Sequence, residues 1–254
     1  MNFEYPQVHQ RFTYNSADIS QAYYFNYGMR LLELFLIRHA ESENNASPSW
    51  KRVADPNLTS LGRLQAEALG DWITGIGIDV LVTSPFLRAL QTSERISVIS
   101  PIKQMLVWHN VFERGGCYSR HSVSGITSHP GLGRTSIQDV LPTAILDPSI
   151  GEDGWWSGCL KESDAEAKKR ADGVINRMIN SFGAGPTKVF TILHADLLKL
   201  MVGRMLFGVF ELGIFGPFAN AAVTKLDFDG RVWRLDWLNS ISHLNPKLIT
   251  GERK

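Results

Sequence analysis

The sequence predicts an α/β fold: a three-layer α/β/α sandwich with a mostly parallel sheet and an antiparallel edge. Short apolar runs, typical of strands buried on both faces, alternate with segments whose apolar residues recur at helical spacing. Such alternation produces parallel strands with helices on both sides of the sheet. Two final strand-like runs, 222–228 and 232–237, flank Asp229 and Gly230, a pair suited to a two-residue hairpin loop. With 254 residues, 44% of them hydrophobic, the chain can bury the core of one such domain.

The charge balance argues against polyanionic partners. There are 26 basic and 25 acidic residues, and no dense basic run that would follow a nucleic-acid backbone or an anionic bilayer. No apolar stretch reaches the roughly 18 residues that a membrane span needs. The start of the chain lacks the basic-then-apolar order of a signal peptide. We therefore expect a cytoplasmic protein with no nucleic-acid partner and no membrane partner.

The first 28 residues form a predicted extension before the folded domain. Their aromatic rings follow neither a helical nor an alternating period, so no element is assigned to them. Burial of these rings against the domain, or against a second copy in a homodimer, would keep them out of water. The domain itself is expected to occupy residues 29–254. The rings belong to Phe3, Tyr5, Phe12, Tyr14, Tyr23, Tyr24, Phe25 and Tyr27.

The first strand is predicted at 31–37, and Arg38 and His39 follow at its carboxyl end. Ligands of open α/β sheets bind at that edge. Residues 58–73 are predicted to form a helix, because Leu61, Leu64, Leu69 and Trp72 recur at helical spacing.

The second strand is predicted at 79–82, before the tripeptide Thr83, Ser84 and Pro85. Serine is a good helix N-cap and proline a good first helical residue. We therefore expect Ser84 to cap the next helix, with Arg88 in the opening turn, pointing back towards the edge of the sheet.

The middle of the chain, 115–160, is rich in Gly, Ser and Pro and predicts an irregular insertion that serves as a lid. A capping box of Ser163 and Glu166 then begins a helix, which stops at Gly183. A third buried strand, 188–193, precedes His194, which repeats the strand-end position of His39.

Arg38, His39, Arg88 and His194 therefore come from three strand ends to one rim, and together they suit a phosphate group. Arginine offers a planar fork of donors that stays charged, so Arg38 and Arg88 are the expected ligands of the phosphate oxygens. The imidazole of His39 can accept a phosphoryl group through an unprotonated ring nitrogen. His194, protonated beside a bound anion, would donate to the equatorial oxygens.

Glu113, at the mouth of the insertion, is the predicted proton donor for a leaving alkoxide. Burial would raise the pKa of its carboxyl group and nearby arginines would lower it, so the sequence leaves the direction open. Cys117 and Cys159 make neither a disulfide framework nor a metal cluster, and the histidines lack close metal-binding spacing. No metal and no cofactor are expected.

These segments resemble the histidine phosphatase superfamily, branch 1, the phosphoglycerate mutase-like proteins. The run Arg38-His39-Ala40-Glu41-Ser42-Glu43-Asn44-Asn45 is similar to the family signature Arg-His-Gly-Glu-Ser-x-x-Asn, with alanine in place of glycine. The resemblance covers essentially everything after residue 28. It continues through 58–66, 83–92, the segment around Glu113, 193–196, Asn220 and 238–244.

The resemblance implies a phosphoglycerate mutase-like fold, a phosphohistidine intermediate at His39 and a proton donor at Glu113. It also implies a phosphate pocket made by Arg38, Arg88 and His194. Asn45 is expected to reach the phosphate. The matching segments add Ser42 and Ala195 as candidate substrate-binding residues.

Three functions stay open at this point. The phosphohistidine could be hydrolysed by water, in a phosphatase of small phosphomonoesters or phosphosugars, or passed to a second hydroxyl, in a mutase. The glycolytic mutases of the family usually carry a Phe-Thr-Gly-Trp type segment after the signature, whereas this chain has Ser-Pro-Ser-Trp-Lys-Arg at 47–52. That departure favours a metal-independent phosphatase, with a sugar bisphosphatase as an alternative. A binding or scaffold domain with a degenerate site is the third possibility.

Overall fold

A seven-stranded sheet is the central layer of the fold in the computed structural model, which describes residues 31–121 and 125–251. The strand order is β6-β3-β2-β7-β1-β8-β9. Pairing is parallel from β6 to β1 and antiparallel at β1-β8 and β8-β9, so the predicted antiparallel edge is confirmed. The strands are β1 Leu32–Arg38, β2 Ile78–Thr83, β3 Ile102–Val107, β6 Ile145–Leu146, β7 Thr187–Leu193, β8 Val223–Phe228 and β9 Trp233–Ser240, and a separate two-stranded sheet holds β4 Tyr118–His121 and β5 Gly125–Ser128.

Helices cover both faces of the large sheet. Alternate residues of β1 divide between two cores, with Phe35 and Ile37 in one and Leu34 and Leu36 in the other. The three-layer α/β/α sandwich is therefore confirmed. The helices are α1 Glu43–Ala46, α2 Ser60–Thr74, α3 Leu87–Ile99, α4 Arg134–Val140, α5 Asp164–Phe182 and α6 Ala195–Phe207, and short 3₁₀ segments lie at Ser49–Lys51, His109–Val111, Leu212–Ile214 and Pro246–Leu248.

Helix α2 forms where the apolar spacing predicts it, but a different face is buried. Leu69 is fully buried as predicted, but Leu64 is 50% exposed, and Ala66 and Ile73 are fully buried in its place. Gly62 explains the rotation, because a Cβ atom there would lie only 2.0 Å from the carbonyl oxygen of Glu41. The small residue lets the helix lie directly against the loop that follows β1.

The start of α3 differs from the prediction. Phe86, and not Ser84, occupies the N-cap position, and its side chain accepts no capping hydrogen bond. The predicted place of Arg88 in the opening turn is correct, since the helix begins at Leu87. Ser84 lies two residues before Phe86 and is fully buried, and its hydroxyl group contacts the ring of His194.

The segment 115–160 is more ordered than its composition predicts. It contains the β4–β5 hairpin and helix α4, and strand β6 joins the edge of the main sheet beside β3. Trp155 and Trp156 are buried against Phe86 and Phe112. The sequence shows no period here because these contacts join residues that are distant along the chain.

The terminal hairpin also departs from its prediction in one detail. Phe228 pairs with Trp233, so the connection has four residues and not two. The Asp229 carboxylate accepts hydrogen bonds from the backbone N–H groups of Arg231 and Val232, which closes the longer loop.

The predicted capping box of α5 is present and gives a stability test. The Ser163 hydroxyl accepts from the N–H of Glu166, and the Glu166 carboxylate accepts from the N–H of Ser163. We expect Ser163→Ala to lower the free energy of unfolding by about 1 kcal/mol, measured by urea denaturation. Ser157→Ala, in an exposed turn, is the control, and equal values for the two variants would contradict the capping role.

None of the helices in the described ranges is long and apolar enough to cross a membrane. The predicted aromatic extension, residues 1–28, lies outside the residues that the structure describes.

Candidate active site

Three neighbouring parallel strands end at one edge of the sheet, and the predicted polar residues follow them there. Arg38 is the last residue of β1 and pairs with Leu193 at the end of β7, which places His39 beside His194. The ring centroids of the two histidines are 5.1 Å apart. Arg88 enters from α3, and its Nε atom lies 3.1 Å from His39 Nε2. The structure thus brings His39, Arg88 and His194 together at one edge of the sheet, as the strand ends predict.

A cavity of about 540 Å³ opens at this edge. Six of the predicted site residues line it, namely Arg38, His39, Ser42, Asn45, Arg88 and Glu113.

One ring nitrogen of His39 makes a hydrogen bond to the backbone, and the other carries a lone pair. Nδ1 lies 2.7 Å from the carbonyl oxygen of Ala40, to which it must donate. Nε2 therefore carries no proton and accepts from Arg88 Nε. Burial lowers the pKa of His39 well below its ordinary value, and the charges of Arg88 and Arg38 lower it further. The neutral ring is the nucleophilic form.

Arg88 is enclosed on several sides. Its Nε atom donates to His39, and its Nη2 atom lies 3.1 Å from Nδ1 of His194. The guanidinium group also lies 4.1 Å above the ring of Phe86. Burial lowers the pKa of Arg88 from its usual value.

His194 lies behind the cavity and is fully buried. Since a guanidinium group can only donate, Nδ1 of His194 accepts from Arg88, and Nε2 carries the proton that is donated to Ser84 Oγ, 2.8 Å away. Burial lowers the pKa of His194 well below its ordinary value, with Arg88 as the next cause. The expectation of a protonated His194 is wrong for this arrangement, because Arg88 occupies the place where a second ring proton would point.

Arg38 lines the cavity and has one unpaired donor. Its Nη1 atom donates to the carbonyl oxygen of Phe218, while the buried Nε atom has no protein partner. Burial lowers the pKa of Arg38 to about 10, partly offset by the negative charge of Glu113. A buried N–H without an acceptor is costly.

Glu113 is half-buried, and its surroundings raise the pKa of its carboxyl group above the ordinary value. Burial raises the pKa of the carboxyl group, and the neighbouring Asp196 carboxylate raises it further. The N–H of Arg114 and the charges of Arg88 and Arg38 oppose that shift without reversing it. A carboxyl group in this state can hold a proton nearer to neutral pH than an exposed one.

The hydrogen bonds of the Asn45 side chain are made by its amide oxygen and not by its amide nitrogen. Its Oδ1 atom accepts from the N–H and the hydroxyl group of Ser42 and from Nδ2 of Asn220. Asn220 also donates to the carbonyl oxygen of His39. Ser42 lines the cavity, but its hydroxyl proton is directed to Asn45 and not into the cavity.

Ala195 is not brought into this arrangement. It is the first residue of α6 and does not line the cavity, so its predicted contact with substrate has no counterpart here. In the insertion, Arg134 binds the carbonyl oxygens of Ile150 and Asp147, which is a structural role. Cys117 is fully buried behind the cavity.

The mouth of the cavity is cationic. Arg52 and Lys161 line it from opposite parts of the sequence. Arg114 lies there as well, but it is bound to Asp164 and Asp196 at 2.7 and 3.0 Å. Across residues 31–121 and 125–251, no three His, Cys, Asp or Glu side chains are grouped as a metal site.

Asp55 is a neighbour of the site that sequence reasoning missed. Its carboxylate oxygen Oδ1 lies 3.9 Å from Nη1 of Arg88. Asp55 stands in a loop without periodicity, 33 positions before Arg88, so no local pattern connects the two. The only sequence signal is an isolated acidic residue between the first signature and helix α2.

Comparison with known proteins gives several curated relatives, and two of them illustrate how different the matched shares of the chain are. Phosphoserine phosphatase 1 of Hydrogenobacter thermophilus is 34% identical over 67 residues, which are 26% of this chain and 32% of that relative. Glucosyl-3-phosphoglycerate phosphatase of Mycobacterium tuberculosis is 23% identical over 240 residues, covering 87% of this chain and 100% of the relative.

A solved structure shares the fold across most of the chain. It is a phosphoserine phosphatase mutant of Entamoeba histolytica in complex with phosphoserine, at a TM-score of 0.58 and 20% identity, covering 84% of this chain and 100% of the other. The profile of the histidine phosphatase superfamily (branch 1) matches residues 34–112. That segment contains Arg38, His39 and Arg88 and ends immediately before Glu113. Residues 34–112 therefore match the histidine phosphatase superfamily, branch 1, and most of the chain shares the fold of a phosphatase structure.

Proposed function

We propose that this protein is a phosphatase that hydrolyses small phosphomonoesters through a phosphohistidine on His39. The observation that carries the proposal is the tautomer of His39: its Nδ1–H is held by the Ala40 carbonyl oxygen at 2.7 Å, which leaves the Nε2 lone pair directed into the site. Alanine in place of the signature glycine does not disturb this contact, because the acceptor is a backbone atom.

Phosphate binding is assigned to the cations around that lone pair. Arg38 has a buried Nε–H without a protein acceptor, and both Arg38 and Arg88 line the cavity. The amide nitrogen of Asn45 is the further donor. Release of His39 Nε2 from Arg88 must precede attack, and a bound phosphate oxygen offers the arginine a stronger, charged acceptor in exchange.

The proposed reaction has two displacements at phosphorus. Nε2 of His39 forms a bond to phosphorus while the bond to the leaving oxygen breaks, and the Glu113 carboxyl group donates its proton to that oxygen. Water then attacks the phosphohistidine, Glu113 accepts the water proton, and the bond between phosphorus and Nε2 breaks. Neutral His194 donates to Ser84 and supports Arg88 from behind.

Hydrolysis is favoured over transfer to a second hydroxyl group by two features. The segment after Asn45 departs from that of the glycolytic mutases. Two relatives, which match 26% and 87% of this chain, carry phosphatase names. Other relatives carry mutase names, such as the probable phosphoglycerate mutase GpmB of Photorhabdus laumondii, which is 27% identical over 44% of this chain. The phosphatase names refer to phosphoserine and glucosyl-3-phosphoglycerate, both small phosphorylated molecules. We extend only that class to this chain.

The test is a panel of substrates assayed for released phosphate: para-nitrophenyl phosphate, phosphoserine, sugar phosphates and phosphoglycerates. We expect phosphate release from several members and no net isomerisation of phosphoglycerate. Isomerisation faster than phosphate release would assign a mutase. A folded protein that binds these compounds and turns over none would assign a scaffold with a degenerate site.

A separate prediction concerns inhibitors. Orthovanadate is expected to inhibit, because it adopts the five-coordinate geometry for which two arginines and a histidine are suited. EDTA is expected to leave the rate unchanged, since cationic side chains and not a metal would neutralise the phosphate. The measurement is para-nitrophenyl phosphate turnover with each reagent. Loss of activity in EDTA that returns on adding a divalent metal would contradict metal independence.

A further inference from the structure

Asp55 is a mostly buried carboxylate directly behind the phosphate-binding arginines. Its side chain is 15% exposed. The two preceding residues, Val53 and Ala54, line the cavity, whereas Asp55 does not. It therefore lies next to the site without facing the substrate.

The carboxylate is attached to the start of the helix that carries Arg88. Oδ1 of Asp55 accepts the N–H of Leu87, the first residue of α3, at 2.9 Å. The N-cap residue Phe86 has no side-chain acceptor of its own. Asp55 supplies the missing cap from another part of the chain, and a negative charge is favourable at a helix N-terminus.

The same oxygen atom lies 3.9 Å from Nη1 of Arg88. The other two guanidinium nitrogens face the imidazole rings of His39 and His194, and the flat side faces Phe86. Of the carboxylates in the described ranges, Asp55 alone is within ion-pair distance of Arg88. Glu113, the next carboxylate that acts on the charge of Arg88, lies beyond that distance.

We infer that Asp55 is a positioning residue: it holds the first turn of α3 and the guanidinium group of Arg88 in the place where Arg88 meets His39 and the phosphoryl group. The inference rests on the proposed function in assigning phosphate binding to Arg88. The ion pair with Arg88 needs an ionised carboxylate, so Asp55 should position Arg88 less firmly after it takes up a proton.

The surroundings of Asp55 bring that change into an accessible pH range. Burial raises the pKa of Asp55 to about 6, and the charge of Arg88 and the N–H of Leu87 oppose the shift. The other titratable group that faces it is Cys117, whose pKa burial raises to about 12, so this thiol stays neutral. We therefore expect Asp55 to be mostly charged at pH 7.5 and mostly neutral at pH 5. Its Oδ2 atom has no protein partner that would resist protonation.

The first test is the ratio of kcat/KM between wild type and Asp55→Asn on para-nitrophenyl phosphate. Asparagine keeps an acceptor for the Leu87 N–H and removes only the charge. We expect the ratio to be about ten at pH 7.5 and to fall towards one at pH 5. Titration of the substrate and of other enzyme groups cancels in this ratio. A ratio that is independent of pH, or equal to one throughout, would overturn the inference.

Asp79→Asn is the matched control, because Asp79 makes the same two kinds of contact. Its carboxylate accepts the backbone N–H of Lys188 at 3.0 Å and forms an ion pair with Lys103 at 2.6 Å. It lies near the start of β2, at the opposite end of that strand from the site. Its ratio should stay at one across the pH range. Asp55→Ala removes cap and charge together, so its melting temperature should fall below that of Asp55→Asn.

A second measurement does not depend on activity. The Arg88 guanidinium resonance in nitrogen-15 NMR, assigned by its loss in Arg88→Lys, should shift with a midpoint near pH 6. The shift should persist in Glu113→Gln and vanish in Asp55→Asn. Its loss in Glu113→Gln would overturn the inference even if Asp55→Asn did not fold. If wild type hydrolysed no phosphomonoester while this shift was present, the proposed function would fail and the positioning contact would stand.

Discussion

Replacing His39 by alanine should lower phosphatase turnover by about 10⁴-fold or more while the protein stays folded. The expected size follows from the loss of a nucleophile, which no neighbouring group can replace. The only other imidazole at the rim, among the described residues, belongs to His194, which is fully buried with both ring nitrogens in contact with Arg88 and Ser84. Turnover is measured on para-nitrophenyl phosphate and folding by circular dichroism.

Trapping the intermediate makes the same prediction chemically specific. Wild type quenched during turnover of a phosphorus-32 labelled substrate should carry acid-labile, base-stable label, and His39→Ala should carry none. His243→Gln is the matched control, because His243 contacts Trp72 outside the cavity and its variant should still be labelled. Label of the same stability in the His39 variant would place the phosphoryl group on another residue.

Replacing Glu113 by glutamine should separate substrates by their leaving groups. An alkyl phosphate needs a proton on its leaving oxygen, so its kcat/KM should fall about 100-fold or more. An aryl oxide leaves with little help, and para-nitrophenyl phosphate should lose less than tenfold. Phosphoserine and para-nitrophenyl phosphate form the measured pair.

The pH dependence provides a second reading of Glu113. Because burial and Asp196 raise its pKa, the proton persists to higher pH than in an exposed glutamate. The acid is present below this raised pKa and lost above it, so wild type should show a falling limb at high pH on the alkyl substrate. Glu113→Gln should lack that limb. Glu67→Gln, on an exposed part of α2, is the control and should retain it. If Glu113→Gln lowered kcat/KM equally for phosphoserine and para-nitrophenyl phosphate, Glu113 would have a structural role.

Much of the site could be predicted from local patterns. A buried apolar run marks a strand, and the residue after it must lie at the carboxyl edge of a parallel sheet. This reasoning predicted that Arg38, His39 and His194 meet. The opening turn of α3 followed in the same way, and Arg88 with it. These positions depend on chain order and periodicity alone.

Predictions that depended on contacts between distant segments were less successful. Residue type predicts Ser84 as the cap, but Asp55 supplies the acceptor at Leu87. The segment 115–160 appeared irregular, because Trp155 and Trp156 pack against residues far along the chain. Ala195 matched the family pattern but does not line the cavity.

The sequence by itself determined the strands and helices that carry the rim, the family resemblance and the identity of the charged residues at the rim, since these follow from residue type and spacing. It did not predict β3 or the elements within 115–160. Tertiary structure alone decided the protonation states and the hydrogen-bond partners. Whether Glu113 has a raised pKa depends on the balance between burial and the arginines, and whether His194 is neutral depends on which donor faces its Nδ1 atom. Both are properties of distances between segments that no local pattern encodes, because electrostatic energies depend on burial and separation in space.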